Sequence, residues 1–275
     1  MSAESSGFDF ICRIVAERTG NVLEADKAYL AKSRLLPVAQ RWSCPSVKEV
    51  IAKLQASRDP QLEREVVEAM LTHETSFFRD EQYFANLSQH ILPALLHQRQ
   101  AERCLRIWCC ACASGQEAYS IGMLLRESFS DAVSGWDVEI LGSDCSYQSI
   151  LQAVAGEYSE VEMTRGLSAR RRDRYFQRQR SGWQLNDSLR AAVQFRELNL
   201  IKPLPTLPPM DLVLLRNALI YMSDDTKRTI LRRVHQTIRP GGFLILGATE
   251  TLFDLKDRFD RISFDSSLSY QKRPL

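Results

Sequence analysis

Apolar residues in the first quarter of the chain recur at helical spacing. Ile14 and Val15 follow Phe10 by four and five residues, which places all three on one side of a helix, and helical spacings continue through the next fifty residues. Nothing in this stretch alternates as a strand would. The pattern predicts a small all-α N-terminal domain over residues 1–71 and a linker over residues 72–90.

From Leu105 onward, short apolar runs alternate with helical patterns. The predicted strands are LRIWCC, VEILGSD, DLVLLRN, GGFLILG and a last strand near residues 268–271. Helices are predicted over residues 81–98 with an interruption near Pro93, and over residues 117–129, 147–155 and 224–238. This βαβ rhythm is typical of a parallel sheet, and we place such an α/β domain over residues 91–275.

The rhythm breaks after residue 158. YFQRQRSGWQL and AAVQFREL are both predicted to belong to a small antiparallel β-subdomain near residues 174–198, with SGW as a hairpin turn.

The segment IWCCACASGQEAYSIGMLL indicates a buried strand, a turn of small residues and the start of a helix. Such a turn holds a nucleotide-like cofactor in many α/β enzymes. It lacks the lysine of a phosphate-binding loop, and Glu117 would repel a phosphate. These features favour a cationic cofactor without phosphate, and S-adenosylmethionine fits that description.

Two further predicted strands end in polar or charged residues that could bind a ligand. Asp144 closes VEILGSD and suits a carboxylate that accepts the two ribose hydroxyls, although it could instead cap the following helix. Arg216 and Asn217 end DLVLLRN, and an arginine after so apolar a strand needs a partner. That partner is either a ligand or a buried carboxylate.

Composition indicates the size of the core, the cellular location and the redox state of the cysteines. The chain has 275 residues, 44% of them hydrophobic, which is enough to bury a full core. No apolar run reaches the length of a membrane span, and the N-terminus does not resemble a signal peptide, so we expect a cytoplasmic protein without membrane insertion. Seven cysteines, an odd number, indicate reduced thiols packed in the core, and a metal site at CCAC is disfavoured because adjacent strand residues point to opposite faces.

The net charge is only +2, but RGLSARRRDRYFQRQR carries seven arginines against one aspartate. This segment is interpreted either as a solvated helix face or as a surface for an acidic protein partner. Nucleic acid is disfavoured because the rest of the chain is not basic.

Four blocks, in order, resemble the chemotaxis receptor methyltransferases of the CheR family. THETSFFRD is similar to the family's T-N-x-T-x-F-F-R, WCCACASGQEAYS to W-S-A-G-C-S-T-G-E-E-P-Y-S, and ILGSD to I-L-A-T-D. DLVLLRNALIYM followed by RPGGFLILGATETL is similar to D-x-I-x-C-R-N-V-L-I-Y-F followed by K-P-G-G-x-L-x-L-G-x-S-E-S-L.

The resemblance implies a class I S-adenosylmethionine-dependent methyltransferase domain of Rossmann-like fold, with a small antiparallel β-subdomain and a preceding all-α domain. It implies that Arg79 and Tyr221 shape the methyl-transfer site. We expect no metal there. The cofactor-binding residues implied by motif position are His73, Thr75, Arg79, Glu117, Asp144, Asn199, Leu200, Arg216 and Asn217.

The resemblance also implies the reaction: methyl transfer from S-adenosylmethionine to glutamate side chains in cytoplasmic helices of chemoreceptors, leaving S-adenosylhomocysteine. Some members also dock a receptor C-terminal peptide at the β-subdomain. The alternatives are a non-catalytic module that binds the cofactor or its product, and a methyltransferase for another acceptor.

Three departures from the family pattern matter for the site. Gln116 replaces a glutamate, Ala118 replaces a proline, and His73 replaces an asparagine. Because an imidazole titrates near neutral pH, His73 predicts a cofactor affinity that varies with pH.

Overall fold

The computed structural model describes residues 3–24, 28–264 and 267–274, which group into two compact units. The first contains the described residues up to Thr72 together with Tyr221–Lys227, and the second contains His73–Ile220 and the described residues from Arg228 onward. No helix within these ranges combines the length and apolar character needed to cross a membrane.

The first unit is helical. Its core is formed by buried apolar side chains such as Ile11, Leu35 and Leu62. Residues 221–227 belong to this unit because Asn21 forms an antiparallel bridge with Met222. Its four main helices are α1 (Ala3–Thr19), α2 (Ala28–Arg41), α3 (Val47–Ser57) and α4 (Pro60–Met70).

The second unit contains the β-strands. They are β1 (Cys104–Cys110), β2 (Asp137–Asp144), β3 (Glu157–Tyr158), β4 (Phe176–Gln179), β5 (Gly182–Leu185), β6 (Val193–Glu197), β7 (Met210–Leu215), β8 (Ile238–Leu246), β9 (Phe259–Phe264) and β10 (Ser267–Lys272).

Seven strands form one sheet in the order β6-β2-β1-β7-β8-β10-β9. The first five are parallel, while β10 is antiparallel to both β8 and β9. Strand β1 is buried along nearly its whole length, as an apolar run covered on both faces should be. In this order β2 lies beside β1 on one side, and β7, which comes later in the chain, lies beside β1 on the other. The carboxyl ends of these three strands therefore form the switch point where such sheets bind ligands.

Helices separate the strands as the sequence pattern predicts, and the α/β fold class is confirmed. The helix that follows β2 has the predicted bounds, and the predicted start of the helix that follows β1 is off by one residue. The remaining helices are α5 (Glu81–Asn86), α6 (Leu92–Gln98), α7 (Gln116–Ser128), α8 (Tyr147–Ala155), α9 (Glu160–Met163), α10 (Ala169–Tyr175), α11 (Asp187–Arg190) and α12 (Asp224–Thr237).

The small antiparallel sheet has the order β3-β5-β4. The predicted hairpin around SGW is the β4–β5 pair. The prediction that AAVQFREL belongs to the same sheet is wrong, because β6 pairs in parallel with β2 at the edge of the main sheet. An edge strand exposes one side to water, so its alternating polarity looks like that of an antiparallel strand.

Two other predictions need correction. The interruption expected near Pro93 is a π-helical turn at Leu87–Ile91, and Pro93 lies in the first turn of α6, where a missing N–H is tolerated. The last strand is antiparallel rather than part of the parallel rhythm, and it pairs with β9, a strand that we did not predict.

Candidate functional site

The turn after β1 contains three residues in the left-handed region. Ala111, Ala113 and Gly115 have φ angles of 50°, 46° and 88°. A Cβ atom on Gly115 would lie 2.9 Å from both Ala153 Cβ and the ring of Phe195, so only glycine fits there. The turn therefore places bare backbone close to the carboxyl ends of β1 and β2.

Asp144 ends β2 with its carboxylate against this turn. Its Oδ2 accepts a hydrogen bond from the Ala113 N–H and its Oδ1 from the Ser146 N–H, both at 2.9 Å. The cap of α8 is Ser146, whose hydroxyl accepts from the Ser149 N–H at 3.1 Å. Asp144 is therefore not the helix cap. Each of its oxygens keeps capacity for another donor.

Arg216 follows β7 and contacts two carboxylates and one ring. Its Nη1 donates to Glu117 Oε1 at 2.7 Å, its Nη2 donates to Asp80, and its guanidinium lies 4.0 Å from the centroid of Tyr83. Burial lowers the pKa of Arg216 while Glu117 raises it, and the net direction is upward. The buried ion pair considered for Arg216 therefore exists, and it fixes the Glu117 carboxylate beside the turn.

Glu250 organises the loop that follows Arg216, and the sequence did not reveal this role. Its Oε2 accepts from the N–H groups of Asn217 at 3.0 Å and Gly247 at 2.7 Å, and its Oε1 from the Leu219 N–H at 2.7 Å. Asn217 is left-handed, with φ of 57°. Charge-assisted bonds to three backbone groups explain why a glutamate occurs in the GATETL block.

Arg79 lies between two left-handed residues of the linker. Phe78 has φ of 47° and Asp80 has φ of 66°. The Phe78 N–H donates to Ser120 Oγ at 2.9 Å, and Arg79 Nη1 donates to the Glu74 carbonyl at 3.0 Å. A bulky residue in this region is strained, so the conformation at Arg79 depends on contacts with α7.

His73 and Thr75 lie earlier in the same linker. His73 Nδ1 is 3.0 Å from the hydroxyl of Ser149 in the first turn of α8. Thr75 is half-buried. This contact places His73 beside the segment that follows Asp144, as a cofactor-binding role would require.

Asn199 and Leu200 follow β6. Asn199 Oδ1 accepts from the Ile201 N–H at 3.2 Å, and Leu200 is buried. The preceding Leu198 donates its N–H to the Asp144 carbonyl at 2.9 Å. The loop therefore begins directly beside Asp144.

Tyr221 groups with the first unit. It ends a 3₁₀ turn, Leu219–Tyr221, and its carbonyl accepts from the Val22 N–H at 2.7 Å. Its catalytic role stays a prediction. The other predicted site residues belong to the second unit, on the linker and on the loops after β1, β2, β6 and β7.

Comparisons with known proteins cover almost the whole chain. Residues 6–71 match the domain described as "CheR methyltransferase, all-alpha domain", and residues 73–268 match "CheR methyltransferase, SAM binding domain". The chain belongs to the CheR methyltransferase family. It is therefore a methyltransferase that depends on S-adenosylmethionine.

Named relatives of the family are similar over their full length. A Pseudomonas aeruginosa protein called "Chemotaxis protein methyltransferase 1" is 39% identical over 279 residues, which cover 99% of this chain and 100% of that protein. A Pseudomonas putida protein called "Chemotaxis protein methyltransferase Cher2" is 35% identical, with the same coverage. Among solved structures, N-methyltransferase NodS from Bradyrhizobium japonicum with S-adenosylhomocysteine matches at 14% identity and a TM-score of 0.40, over 72% of this chain and 91% of that one; this likeness carries no argument.

The site residues of this CheR member fit S-adenosylmethionine. Glu117 suits the ammonium group of the cofactor, and Asp144 suits the ribose hydroxyls. Both carboxylates are largely buried, with an exposed fraction of 13% for the Glu117 side chain and 7% for Asp144. Carboxylates at both positions would disfavour a phosphate group, so the chemistry of the site agrees with the cofactor of the family.

The departure at Gln116 has a structural reason. Its Oε1 accepts from the Ser114 hydroxyl at 2.9 Å, and its Nε2 donates to Glu162 Oε1 at 3.4 Å. The family's glutamate would face the Glu162 carboxylate with a like charge. Ala118 is fully buried in the first turn of α7, where proline is also tolerated. Both departures therefore preserve the turn.

Ala111 stands where the CheR motif has glycine, and its φ is 50°. The left-handed region costs a residue with a Cβ atom about 1–2 kcal/mol, part of which glycine loses through greater freedom in the unfolded chain. We expect Ala111→Gly to raise the free energy of unfolding by up to about 1 kcal/mol. Urea unfolding of both proteins measures this, and a destabilised variant would contradict it.

The cysteines of the CCAC stretch pack in the interior. Burial raises the pKa of the thiols of Cys109, Cys110 and Cys112 well above the ordinary value. Within the described residues, no three His, Cys, Asp or Glu side chains are arranged to hold a metal ion. Burial therefore keeps these thiols protonated and apolar in character.

The arginine-rich segment is partly structural. Arg171 donates to Glu127 Oε2 through Nε at 3.0 Å and Nη2 at 2.9 Å. Arg172 and Arg178 lie 5.0 and 5.1 Å from the ring centroid of Trp183. The exposed arginines are Arg165, Arg170, Arg174, Arg178 and Arg180. Some arginines of this segment therefore contact other parts of the protein, while others are exposed on its surface.

Proposed function

We propose that this protein transfers the methyl group of S-adenosylmethionine to glutamate side chains of chemoreceptors, forming glutamate methyl esters. The observation that carries the proposal is the pair of buried carboxylates, Glu117 and Asp144, at the switch point of a CheR-family sheet. Relatives that match along their whole length are named as chemotaxis methyltransferases, which supports the same acceptor class.

We assign the cofactor to a site formed by the linker over residues 72–90 and the methyltransferase domain over residues 91–275. Glu117 would bind the ammonium group, Asp144 the ribose, and the loop after β6 the adenine. The assigned residues are His73, Thr75, Arg79, Glu117, Asp144, Asn199, Leu200, Arg216 and Asn217.

Methyl transfer to a carboxylate demands little acid–base chemistry. A glutamate side chain is already ionised at neutral pH, so the acceptor needs no general base. When bound, S-adenosylmethionine supplies an electrophilic methyl group on a positively charged sulfur. The protein has to align the acceptor oxygen with that methyl group and exclude water, so orientation provides most of the acceleration.

Arg79 and Tyr221 are our candidates for this alignment. Arg79 is half-buried on the strained linker, and its guanidinium can hold an incoming carboxylate. A very strong ion pair would stabilise the bound acceptor instead of the transition state. We therefore expect Arg79 to orient the acceptor carboxylate and to contribute little to its affinity. Tyr221 would pack near the methyl group.

We expect Tyr221→Phe to lower kcat by about tenfold while changing the cofactor Kd by less than about twofold, because the hydroxyl would act on the reacting groups only. An assay of methyl transfer to receptor measures kcat, and titration calorimetry measures the cofactor Kd. Unchanged kcat would remove the Tyr221 hydroxyl from the mechanism.

The exposed arginines between residues 165 and 180 support an acidic acceptor. Glutamate-rich receptor helices would be attracted to them, which favours productive encounter. Strand β4 is an edge of the three-stranded sheet, and a sheet edge offers N–H and C=O groups to an added strand. We place the docking of a receptor C-terminal peptide at this edge.

Incubation with methyl-labelled S-adenosylmethionine and receptor-containing membranes tests the proposal. We expect label in the receptor band and its release by alkali as volatile methanol, because a carboxyl methyl ester is base-labile. Label that resists alkali would indicate another acceptor group. Intact cofactor binding with no label in any receptor tested would instead favour a regulatory binding module.

A further inference from the structure

Asp80 breaks a local rule of helix structure. It is the N-cap residue of α5, yet its side chain makes no capping hydrogen bond and its backbone is left-handed, with φ of 66°. An N-cap aspartate usually accepts hydrogen bonds from the N–H groups of the first turn and so stabilises the helix. Here the carboxylate pairs with Arg216 instead, across 136 residues of chain.

Tyr83 supports Arg216 from a second direction. The ring centroid of Tyr83 is 4.0 Å from the guanidinium carbon of Arg216, a cation–π distance. Tyr83 is buried, and within the described residues its hydroxyl has no hydrogen-bond partner. Because the hydroxyl is unused, the contribution of Tyr83 comes from its ring.

Arg216 is consequently fixed on three sides and can fix Glu117 in turn. It engages Glu117 Oε1 at 2.7 Å, which leaves Glu117 Oε2 available. The three charged groups, Glu117, Arg216 and Asp80, sum to one negative charge. A net negative cluster suits an ammonium group.

We propose that Asp80 and Tyr83 are positioning residues that fix Arg216, and through it Glu117, for the amino-acid end of the cofactor. The proposal rests on the assignment of Glu117 to the ammonium group. Loss of either residue should let Arg216 move away and take the Glu117 carboxylate with it.

Comparing the binding of two ligands distinguishes a loss of positioning at the amino-acid end from general damage to the structure. S-adenosylhomocysteine carries the amino-acid group, whereas 5′-methylthioadenosine has the same nucleoside and sulfur without it. We expect Tyr83→Leu and Asp80→Asn each to weaken S-adenosylhomocysteine binding by about five- to tenfold in calorimetry and 5′-methylthioadenosine by less than about twofold. Tyr83→Phe, which keeps the ring, should bind both ligands as the wild type does.

The chain offers matched controls. Tyr175 is buried and has an arginine, Arg174, 5.2 Å from its ring centroid, but it is not a predicted site residue. Asp260 pairs with Arg273 at 2.7 Å and is 55% exposed, close to the 59% of Asp80. Tyr175→Leu and Asp260→Asn should show no selective loss of S-adenosylhomocysteine binding.

Glu117→Gln distinguishes the two possible failures. If Glu117→Gln weakens S-adenosylhomocysteine selectively but Tyr83→Leu and Asp80→Asn do not, the positioning proposal is wrong and the site assignment stands. If Glu117→Gln affects both ligands equally or neither, the assignment of Glu117 to the ammonium group is wrong. Equal losses for both ligands in Tyr83→Leu and Asp80→Asn would overturn positioning in favour of a structural role.

Discussion

Asp144→Ala should weaken binding of S-adenosylmethionine by about 100-fold, or about 2.7 kcal/mol. Asp144 is only 7% exposed, and both oxygens already accept backbone N–H groups, so its position is fixed before the ligand arrives. A charge-assisted hydrogen bond contributes about 1.5–3 kcal/mol, so the expected loss corresponds to one or two such bonds to the ribose hydroxyls. Titration calorimetry at one pH and salt concentration measures it.

Ser146→Ala is the control for this variant. Ser146 caps α8 and contacts the Asp144 carboxylate through its backbone, so its replacement should cost about 1 kcal/mol of stability. Its cofactor affinity should stay within about twofold of the wild type. If both variants lost affinity only in proportion to their loss of stability, Asp144 would be a structural residue of the turn.

Asp211→Ala should lower the free energy of unfolding by about 3 kcal/mol or more. Asp211 is fully buried at the amino end of β7, and its Oδ2 accepts from the Arg106 N–H at 2.8 Å. Its Oδ1 lies 3.3 Å from Arg99 Nε and 2.9 Å from Arg239 Nε. Removal of the carboxylate leaves two guanidinium groups and one backbone N–H without their common partner.

Burial raises the pKa of Asp211 although the Arg106 N–H and the neighbouring arginines lower it. The expected effect therefore comes from the groups left unpaired, more than from the ion pairs alone. Asp137→Asn is the control, because Asp137 is 64% exposed and lies 3.7 Å from Arg106. Urea unfolding should place this control within about 0.5 kcal/mol of the wild type. Similar losses in both variants would contradict a special role for Asp211.

Elements whose stability comes from local pattern could be predicted from the sequence. Helix α8 has the predicted bounds because Ser146 caps it and Gly156 ends it, both within the segment itself. Strands β1, β2 and β7 lie within one or two residues of their predicted bounds. Strands β1 and β7 are almost entirely buried, and strands covered on both faces are recognisable as nearly continuous apolar runs. The family blocks then indicated which strand ends carry the site.

Features that depend on distant contacts could not be predicted. The pairing of β6 with β2 and the existence of β9 depend on which sheet edge is free, which the composition of each strand does not encode. Asp80 and Glu250 have ordinary sequence contexts, and their roles follow from bonds to the segment around Arg216. The role of the Glu250 carboxylate depends on the loops after β7 and β8 lying next to each other, which the sequence does not show.

We have proposed that the methyl group is transferred to glutamate side chains of a chemoreceptor. Mass spectrometry of receptor peptides after reaction with wild-type protein tests this, with Asp144→Ala as the comparison. We expect the mass of one added methylene on glutamate residues of the cytoplasmic helices, strongly reduced with the variant and lost after alkali. Methylation at any other side chain, or equal methylation by both proteins, would contradict it.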